Sequence, residues 1–281
     1  MRIALVVNRG KPLAARVVPP LVEWLRARGH EPLLAAATAR AFGVRPRDLT
    51  AARLVRRTDL VVAFGGDGTL LRAARYVGRR EVPIMGVNLG GLGFLTAFSV
   101  PEARRGIADF AAGRHAEESR MVIACSHGRR RGFALNDIAL GMGSSGRVIE
   151  IIARSGPDFV NKFTGDGLVV ATPTGSTAYS LAAGGPVVCP TMDAILLTPL
   201  SPHALAARPL ILPADASIEL EIGAGSDPGA LNVDGQKRWR VAAGEPIGIA
   251  RAPFRVRLVV PRDRTYYQIL RDKMKWSGSQ V

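Results

Sequence analysis

Uninterrupted apolar runs alternate with helix-spaced segments through the first third of the chain. RIALVVN at 2–8, DLVVAF at 59–64 and VPIMGVN at 82–88 are short, continuous and bounded by polar or turn residues. That is the pattern of strands buried on both faces. Between them, Leu13 to Arg28 spaces Leu21, Trp24 and Leu25 on one side and meets Gly29 as a stop, and TLLRAARYV at 69–77 reads as a second helix. Strands alternating with helices predict a parallel, Rossmann-like sheet, with ligands gathered beyond the carboxyl ends of its strands. After a helix around Pro101 to Ala112 the texture changes. MVIACS, GFALNDIALG, RVIEIIA, GLVVATP, RPLILP, SIELEIG, ALNVDGQ, PIGIA and FRVRLVV are short strands with turn residues between them. The pattern predicts an α/β N-terminal domain over 1–113 and a β-rich C-terminal domain over 114–264. TYYQILRDKMKW at 265–276 reads as a last strand or helix, with 265–281 returning to the first domain. No repeat or low-complexity tract interrupts this plan.

Composition narrows the class. At 281 residues, 47% hydrophobic and 22% charged, the chain has the make-up of an ordinary globular protein with room for two modest cores. No apolar run reaches the roughly 18 residues a membrane span needs, and MRIALVVN is too short and strand-like for a signal peptide. Cys125 and Cys189 show no metal or redox spacing. Both read as reduced thiols of a cytoplasmic protein. The net charge of +15 raises the question of nucleic acid. Its arginines are scattered, with only short clusters such as Arg56-Arg57 and Arg129-Arg130-Arg131, and aromatics are 6%. Without clustering or aromatic interleaving, the charge fits anionic nucleotides and phosphates as well as it fits a nucleic acid.

Three stretches could carry chemistry. In GGDGT at 65–69, glycines after a strand and before a helix let backbone N–H groups approach phosphate oxygens. Asp67 is odd there, since a carboxylate repels phosphate. It makes sense if it acts on a hydroxyl that attacks the phosphate, or on Mg²⁺; a plain turn is the alternative. Neither the lysine-bearing phosphate loop nor the dinucleotide fingerprint after the first strand is present. The block GDGLVVATPTGSTAYSLAAGGP at 165–186 gathers Thr172, Thr174, Ser176, Thr177 and Tyr179. These are donors and acceptors for sugar and phosphate, or else a polar turn capping a helix with Tyr179 in the core. In ALNDIAL, Asn136 and Asp137 interrupt apolar residues. An amide reading a base edge beside a carboxylate on ribose hydroxyls would explain them, as would a hairpin turn. His203 in SPHALAARPL is a lone histidine, of a kind that is commonly a surface or packing residue.

Taken in order, GGDGT, NLGGLGFLT at 88–96, Asn136-Asp137, DGLVVATPTGSTAYSLAAGGP, SPHALAARPL, DGQ at 234–236 and LRDKMKW at 270–276 resemble the NAD kinase family along the whole chain. The TPTGSTAYSLAAGGP block is specific to that family, whereas GGDGT also occurs in lipid kinases. The resemblance implies transfer of the γ-phosphoryl group of ATP, or of polyphosphate in some bacterial members, to the 2′-hydroxyl of the adenosine ribose of NAD. Mg²⁺ or another divalent cation would assist. Asp67 matches the catalytic aspartate, expected to orient or deprotonate that hydroxyl. Gly65, Gly66, Gly68 and Thr69 match the phosphate-binding loop, with Asp67 and Gly68 also close to NAD. Phe94, Asn136, Asp137, Thr174, Thr177, Ala178, Tyr179 and Ala182 match the NAD pocket, and Asp166 an acidic residue that binds NAD near a subunit contact. His203 matches a histidine near the site. The family is commonly dimeric or tetrameric, which makes a homo-oligomer of nucleotide-binding subunits the expectation, with no nucleic-acid or membrane partner.

Three positions depart from the family pattern. The pair is often Asn-Glu, so Asp137 is one methylene shorter; Ala182 stands where many members have serine. Thr164 stands where some carry an arginine linked to the choice of NAD over NADH, which leaves a dual NAD/NADH kinase open.

Overall fold

The computed structural model describes residues 1–44, 50–54, 58–91 and 93–276. Arg56, Arg57, Leu92 of the NLGGLGF loop and 277–281 of the C-terminal segment lie outside the described residues. The chain forms two compact units, residues 1–119 with 256–281, and residues 120–255.

The first unit is α/β. Strands β1 (Arg2–Val7), β2 (Glu31–Leu34), β3 (Leu60–Gly65), β4 (Ile84–Asn88) and β5 (Ala116–Arg120) join the C-terminal strand Val256–Val260 in one sheet. Its order is β2-β1-β3-β4, then the C-terminal strand, then β5. Pairings among β2, β1, β3 and β4, and of β4 with the C-terminal strand, are parallel. β3 and β4 are buried at every position, as their unbroken apolar runs require of a sheet covered on both faces. Helices α1 (Pro12–Ala27), α2 (Ala36–Ala41), α3 (Ala51–Leu54), α4 (Asp67–Val77) and α5 (Val100–Ala111) connect the strands. α1 holds Pro19 and Pro20 in its interior, each costing about 3 kcal/mol of helix propensity. Burial of Val18, Leu21, Val22 and Leu25 against the sheet offsets that cost. Ser99 and Glu102 close a capping box on α5. The segment read as a last strand or helix is a helix, Tyr266–Met274, capped by Thr265 and Gln268.

The second unit is a β-sandwich. One sheet has the order β10-β9-β14-β17-β6-β7, and the other β13-β12-β11-β8-β15-β16. The first comprises β6 (Ile123–His127), β7 (Arg130–Ala134), β9 (Ile149–Ser155), β10 (Asp158–Gly165), β14 (Ile218–Ile222) and β17 (Ile247–Arg251). The second comprises β8 (Asp137–Gly141), β11 (Gly167–Ala171), β12 (Ala194–Leu200), β13 (Leu210–Pro213), β15 (Gly229–Val233) and β16 (Lys237–Val241). The strands pair antiparallel in both. Alternate residues such as Ile149, Ile151 and Ala153, or Ile218, Leu220 and Ile222, enter one shared core with Leu168 and Val170 of β11. The intervening Val169 and Ala171 join a smaller cluster on the opposite face with Val188 and Ala183. β11 is therefore buried on both sides, which explains its apolar run GLVVA.

Candidate active site

In the first unit β3 ends at Gly65, Gly66 is the N-cap of α4, and Asp67 opens that helix. A Cβ built on Gly65 would lie 2.2 Å from Thr69 Oγ1, so glycine is needed there for Thr69 to pack. Gly66 and Gly68 differ: a Cβ on either meets nothing within 4 Å. No side chain would crowd these two positions at the positive end of an 11-residue helix, the local chemistry that favours an anion.

The Asp67 carboxylate is held by the loop after β4. Oδ1 accepts from the N–H groups of Leu95 (3.1 Å) and Thr96 (3.0 Å) and from Thr96 Oγ1 (3.0 Å). Oδ2 accepts from Phe94 N–H at 3.0 Å. Asn88, the last residue of β4, donates from Nδ2 to Thr96 Oγ1 at 2.7 Å and accepts Gly90 N–H on its own Oδ1 at 2.7 Å. A Cβ on Gly93 would sit 2.0 Å from Asp67 Oδ1, so the carboxylate occupies the space that a side chain there would fill. Two Gly-rich loops at neighbouring strand ends thus meet through one carboxylate. Oδ1 carries three donors and is saturated, while Oδ2 carries one and keeps acceptor capacity. Phe94 is half-buried beside it.

In the second unit the chain crosses from one sheet to the other between β7 and β8, at Leu135 and Asn136. The Asn-Asp pair is therefore a crossover and not a hairpin turn. Asp234, in a left-handed turn at φ 50° after β15, turns its carboxylate back onto this crossover. It accepts the N–H groups of Leu135 (2.9 Å), Asn136 (2.8 Å) and Asp137 (3.2 Å), and its own N–H donates to Asp137 O at 2.9 Å. From the other side Thr172 donates its N–H to Asn136 O at 2.9 Å and its hydroxyl to Leu135 O at 2.5 Å. Gly175 lies against the same peptide, its N–H donating to Thr172 Oγ1 at 3.1 Å. Burial pushes the Asp137 carboxyl up to about 7, and the like charge of Asp234 adds to the effect. Asn136 Oδ1 is buried without a hydrogen-bond partner among the described residues.

The hydroxyl-rich block divides its labour. Thr172 clamps the crossover, Ser176 Oγ links Pro173 O (2.7 Å) to the N–H of Val188 (3.0 Å), and Ser180 meets Thr198 at 2.8 Å. Thr174 is buried and accepts from Arg120 Nη1 at 3.4 Å, and Thr177 Oγ1 donates to Thr174 O at 3.3 Å. Tyr179 is 49% exposed and so lies outside the core. Ala178 precedes the short helix α6 (Tyr179–Ala182), whose Ala182 is also exposed. Thr164, Asp166 and His203 form a separate group: His203 N–H donates to Thr164 O (2.9 Å), and Asp166 N–H to Leu200 O (2.9 Å). That group sits at the start of β11 and the Asn136-Asp137 crossover at its end, roughly 17 Å apart at about 3.3 Å per residue. The sequence marks Thr172 as a candidate ligand donor, and Asn88, Thr96 and Asp234 stand only within the NLGGLGFLT and DGQ motifs. It assigns none of them the holding contacts seen here. Apart from the DGQ motif, the local hint at Asp234 is an Asp-Gly turn after an apolar strand.

Comparison with known proteins gives one answer over both units. Residues 3–115 match the ATP-NAD kinase N-terminal domain and residues 135–260 the ATP-NAD kinase C-terminal domain. The chain is 38% identical to the NAD kinase of Geotalea daltonii over 284 residues, covering 98% of each protein. It is also 38% identical to that of Aromatoleum aromaticum, covering 99% of this chain and 94% of the relative. A yeast NADH kinase crystallised with NADH superposes with a TM-score of 0.89 at 26% identity, over 100% of this chain and 89% of that one. An NAD kinase from Archaeoglobus fulgidus in complex with ATP superposes with a TM-score of 0.80 at 26% identity, over 99% of this chain and 100% of that one.

Proposed function

The chain belongs to the NAD kinase family, and from that premise we propose that it transfers the γ-phosphoryl group of ATP to the 2′-hydroxyl of the adenosine ribose of NAD. The observation that carries the proposal is the Asp67 carboxylate, pinned through Oδ1 with Oδ2 left able to accept one more donor. In the reaction the ribose O–H bond breaks, its proton passing to Asp67 Oδ2 and from there to solvent, and a new O–P bond forms. The bond between the γ-phosphorus and the β,γ-bridging oxygen breaks, and ADP leaves with that electron pair. Oδ2 of Asp67 accepts the hydroxyl's hydrogen bond and aims its oxygen at the phosphorus. Phosphoryl transfer through a loose transition state gains mainly from such positioning and from charge neutralisation. The N-terminal end of α4, uncrowded by side chains at Gly66 and Gly68, receives phosphate oxygens.

Among the described residues there is no group of three or more His, Cys, Asp or Glu able to hold a metal ion. Mg²⁺ is ordinarily held through substrate phosphates and waters with only one or two carboxylates. Asp67 is the carboxylate that would face it. When bound, the ion neutralises charge on the transferring group.

Asn136 and Asp137 hold the adenosine, the unpartnered Asn136 Oδ1 taking a donor from the base and Asp137 the ribose hydroxyls. The distance of Thr164, Asp166 and His203 from that pair supports a role for them toward NAD held by a second copy in a homo-oligomer. Thr164 in place of an arginine supports use of NADH as well as NAD. The deciding experiment is an assay of NADP and NADPH formation that crosses NAD and NADH with ATP and polyphosphate, with diacylglycerol as a competing acceptor. NADP from ATP and NAD is the expected result, and lipid phosphorylation without it would overturn the proposal.

The raised Asp137 carboxyl gives a pH signature. Between its unfolded value near 4 and about 7 the folded protein holds a proton that the unfolded chain has released. Stability from this group is therefore full below about pH 4 and falls as pH rises, by up to about 1.4 kcal/mol per unit, levelling off above 7. NAD binding that uses the carboxylate releases this proton, so affinity should rise with pH toward 7 and then flatten. Denaturant titrations and NAD titrations at pH 5.5 to 8 should show both slopes in the wild type. Asp137→Asn should lose both; slopes that persist in the variant would remove Asp137 as their source.

A further inference from the structure

We propose that Asp234 and Thr172 are positioning residues for the nucleotide-binding pair, gripping the peptide from Leu135 to Asp137 on both sides so that Asn136 and Asp137 meet NAD already arranged. The inference rests on the reading of that pair as the adenosine site.

The grip is complete in a way that ordinary loop packing is not. Three consecutive residues present three backbone donors and three acceptors. The donors all go to the Asp234 carboxylate, those of Asn136 and Asp137 to Oδ1 and that of Leu135 to Oδ2. The acceptors go to the Thr172 hydroxyl, the Thr172 N–H and the Asp234 N–H in turn. Every backbone N–H and C=O of the crossover therefore has a partner within the protein. The side chains remain to meet a ligand, and the Asn136 Oδ1 has no partner among the described residues. A turn at Asp234 and Gly235 could be made with many residues, Asn-Gly among them. The carboxylate here is instead spent on amides about a hundred positions earlier in the chain, and close beside another carboxyl. Placing two acids together costs stability, which a purely structural turn would not need. A crossover fixed before NAD arrives spares the ordering cost that a mobile one would incur on binding.

The test separates binding from chemistry. Asp234→Asn keeps one acceptor oxygen but sets an NH₂ group against the Leu135 N–H. It should raise KM for NAD about tenfold or more, with kcat within about threefold and KM for ATP unchanged. Thr172→Val, which removes the hydroxyl at constant shape, should raise KM for NAD in the same way, and Thr172→Ser should restore it to within about twofold. Direct titration with NAD should reproduce these shifts as changes in dissociation constant. If Asp234→Asn does not fold, the Thr172 pair decides. A folded Asp234→Asn or Thr172→Val with the wild-type KM for NAD, or one that lowers kcat alone, would overturn the inference. A wild type that makes no NADP would instead overturn the kinase reading.

Discussion

Asp67→Asn should lose about a thousandfold or more in kcat while keeping its fold and most of its affinity for NAD. An asparagine can turn its carbonyl oxygen toward the three donors that Oδ1 now serves, those of Leu95, Thr96 and the Thr96 hydroxyl. Its NH₂ then takes the place of Oδ2 and faces the Phe94 N–H, donor against donor. That local conflict costs about 1–3 kcal/mol, which a protein of this size can absorb. The catalytic loss is larger because Oδ2 is the one acceptor with capacity to spare, and groups that orient or take a proton typically contribute 10²- to 10⁴-fold. Steady-state kinetics beside thermal melts make the measurement. Activity within tenfold of the wild type would mean that the hydroxyl is oriented by something else.

Gly175→Ala should be nearly as severe, through binding. A Cβ at this position would lie 2.1 Å from Asn136 O, 2.5 Å from its carbonyl carbon and 2.7 Å from its Cα. All three are backbone atoms, and that backbone is fixed by Thr172 and Asp234, so no side chain can swing away to make room. The methyl group must push the crossover off its partners. We expect kcat/KM for NAD to fall at least about a hundredfold, or the folded yield to collapse, by the strain expected of overpacking at a rigid contact. Gly225→Ala is the control: a Cβ there meets nothing within 4 Å, and no change is expected. A Gly175→Ala protein with wild-type melting temperature and KM for NAD would show that the crossover yields more readily than its hydrogen bonds indicate.

The sequence made the architecture legible where burial alone decides structure. LVVAF and GLVVA are apolar throughout because their strands are covered on both faces. The alternating strands of the second unit follow from a two-sheet core that takes every second side chain. The prolines inside α1 would have argued against a helix there, and tertiary burial overrode them. The site was legible only in part. Asp67 announced itself by being a carboxylate in a glycine loop. The partners that hold it, Phe94 through Thr96, lie 27 to 29 positions away, at a separation no local pattern encodes. Asp234 lies 97 to 99 positions from the amides it serves, so its Asp-Gly turn gave no hint of where the carboxylate points. The glycines misled in an instructive way. Gly65 in the loop that looked built for phosphate is glycine because Thr69 packs on it, whereas Gly93 and Gly175 leave room for Asp67 and for Asn136. Hydroxyl density in the TPTGSTAYS block suggested many donors for a ligand, yet Thr172, Ser176 and Ser180 spend theirs inside the protein.

The C-terminal strand has a consequence for biosynthesis. Val256–Val260 sits between β4 and β5 in the sheet of the first unit, pairing Leu258 with Ile84 and Val259 with Met85. As the ribosome releases the chain, residues 1–119 emerge with that gap unfilled, and β4 has no neighbour on that side until residues 120–255 have also been made. The second unit, continuous in sequence, has everything it needs sooner. Completion of the folded chain therefore runs out of the order of its synthesis, with the inserted sandwich free to form while the earlier α/β unit waits for its last strand. A nascent chain stalled before residue 256 should bury its sandwich and remain protease-sensitive along β4.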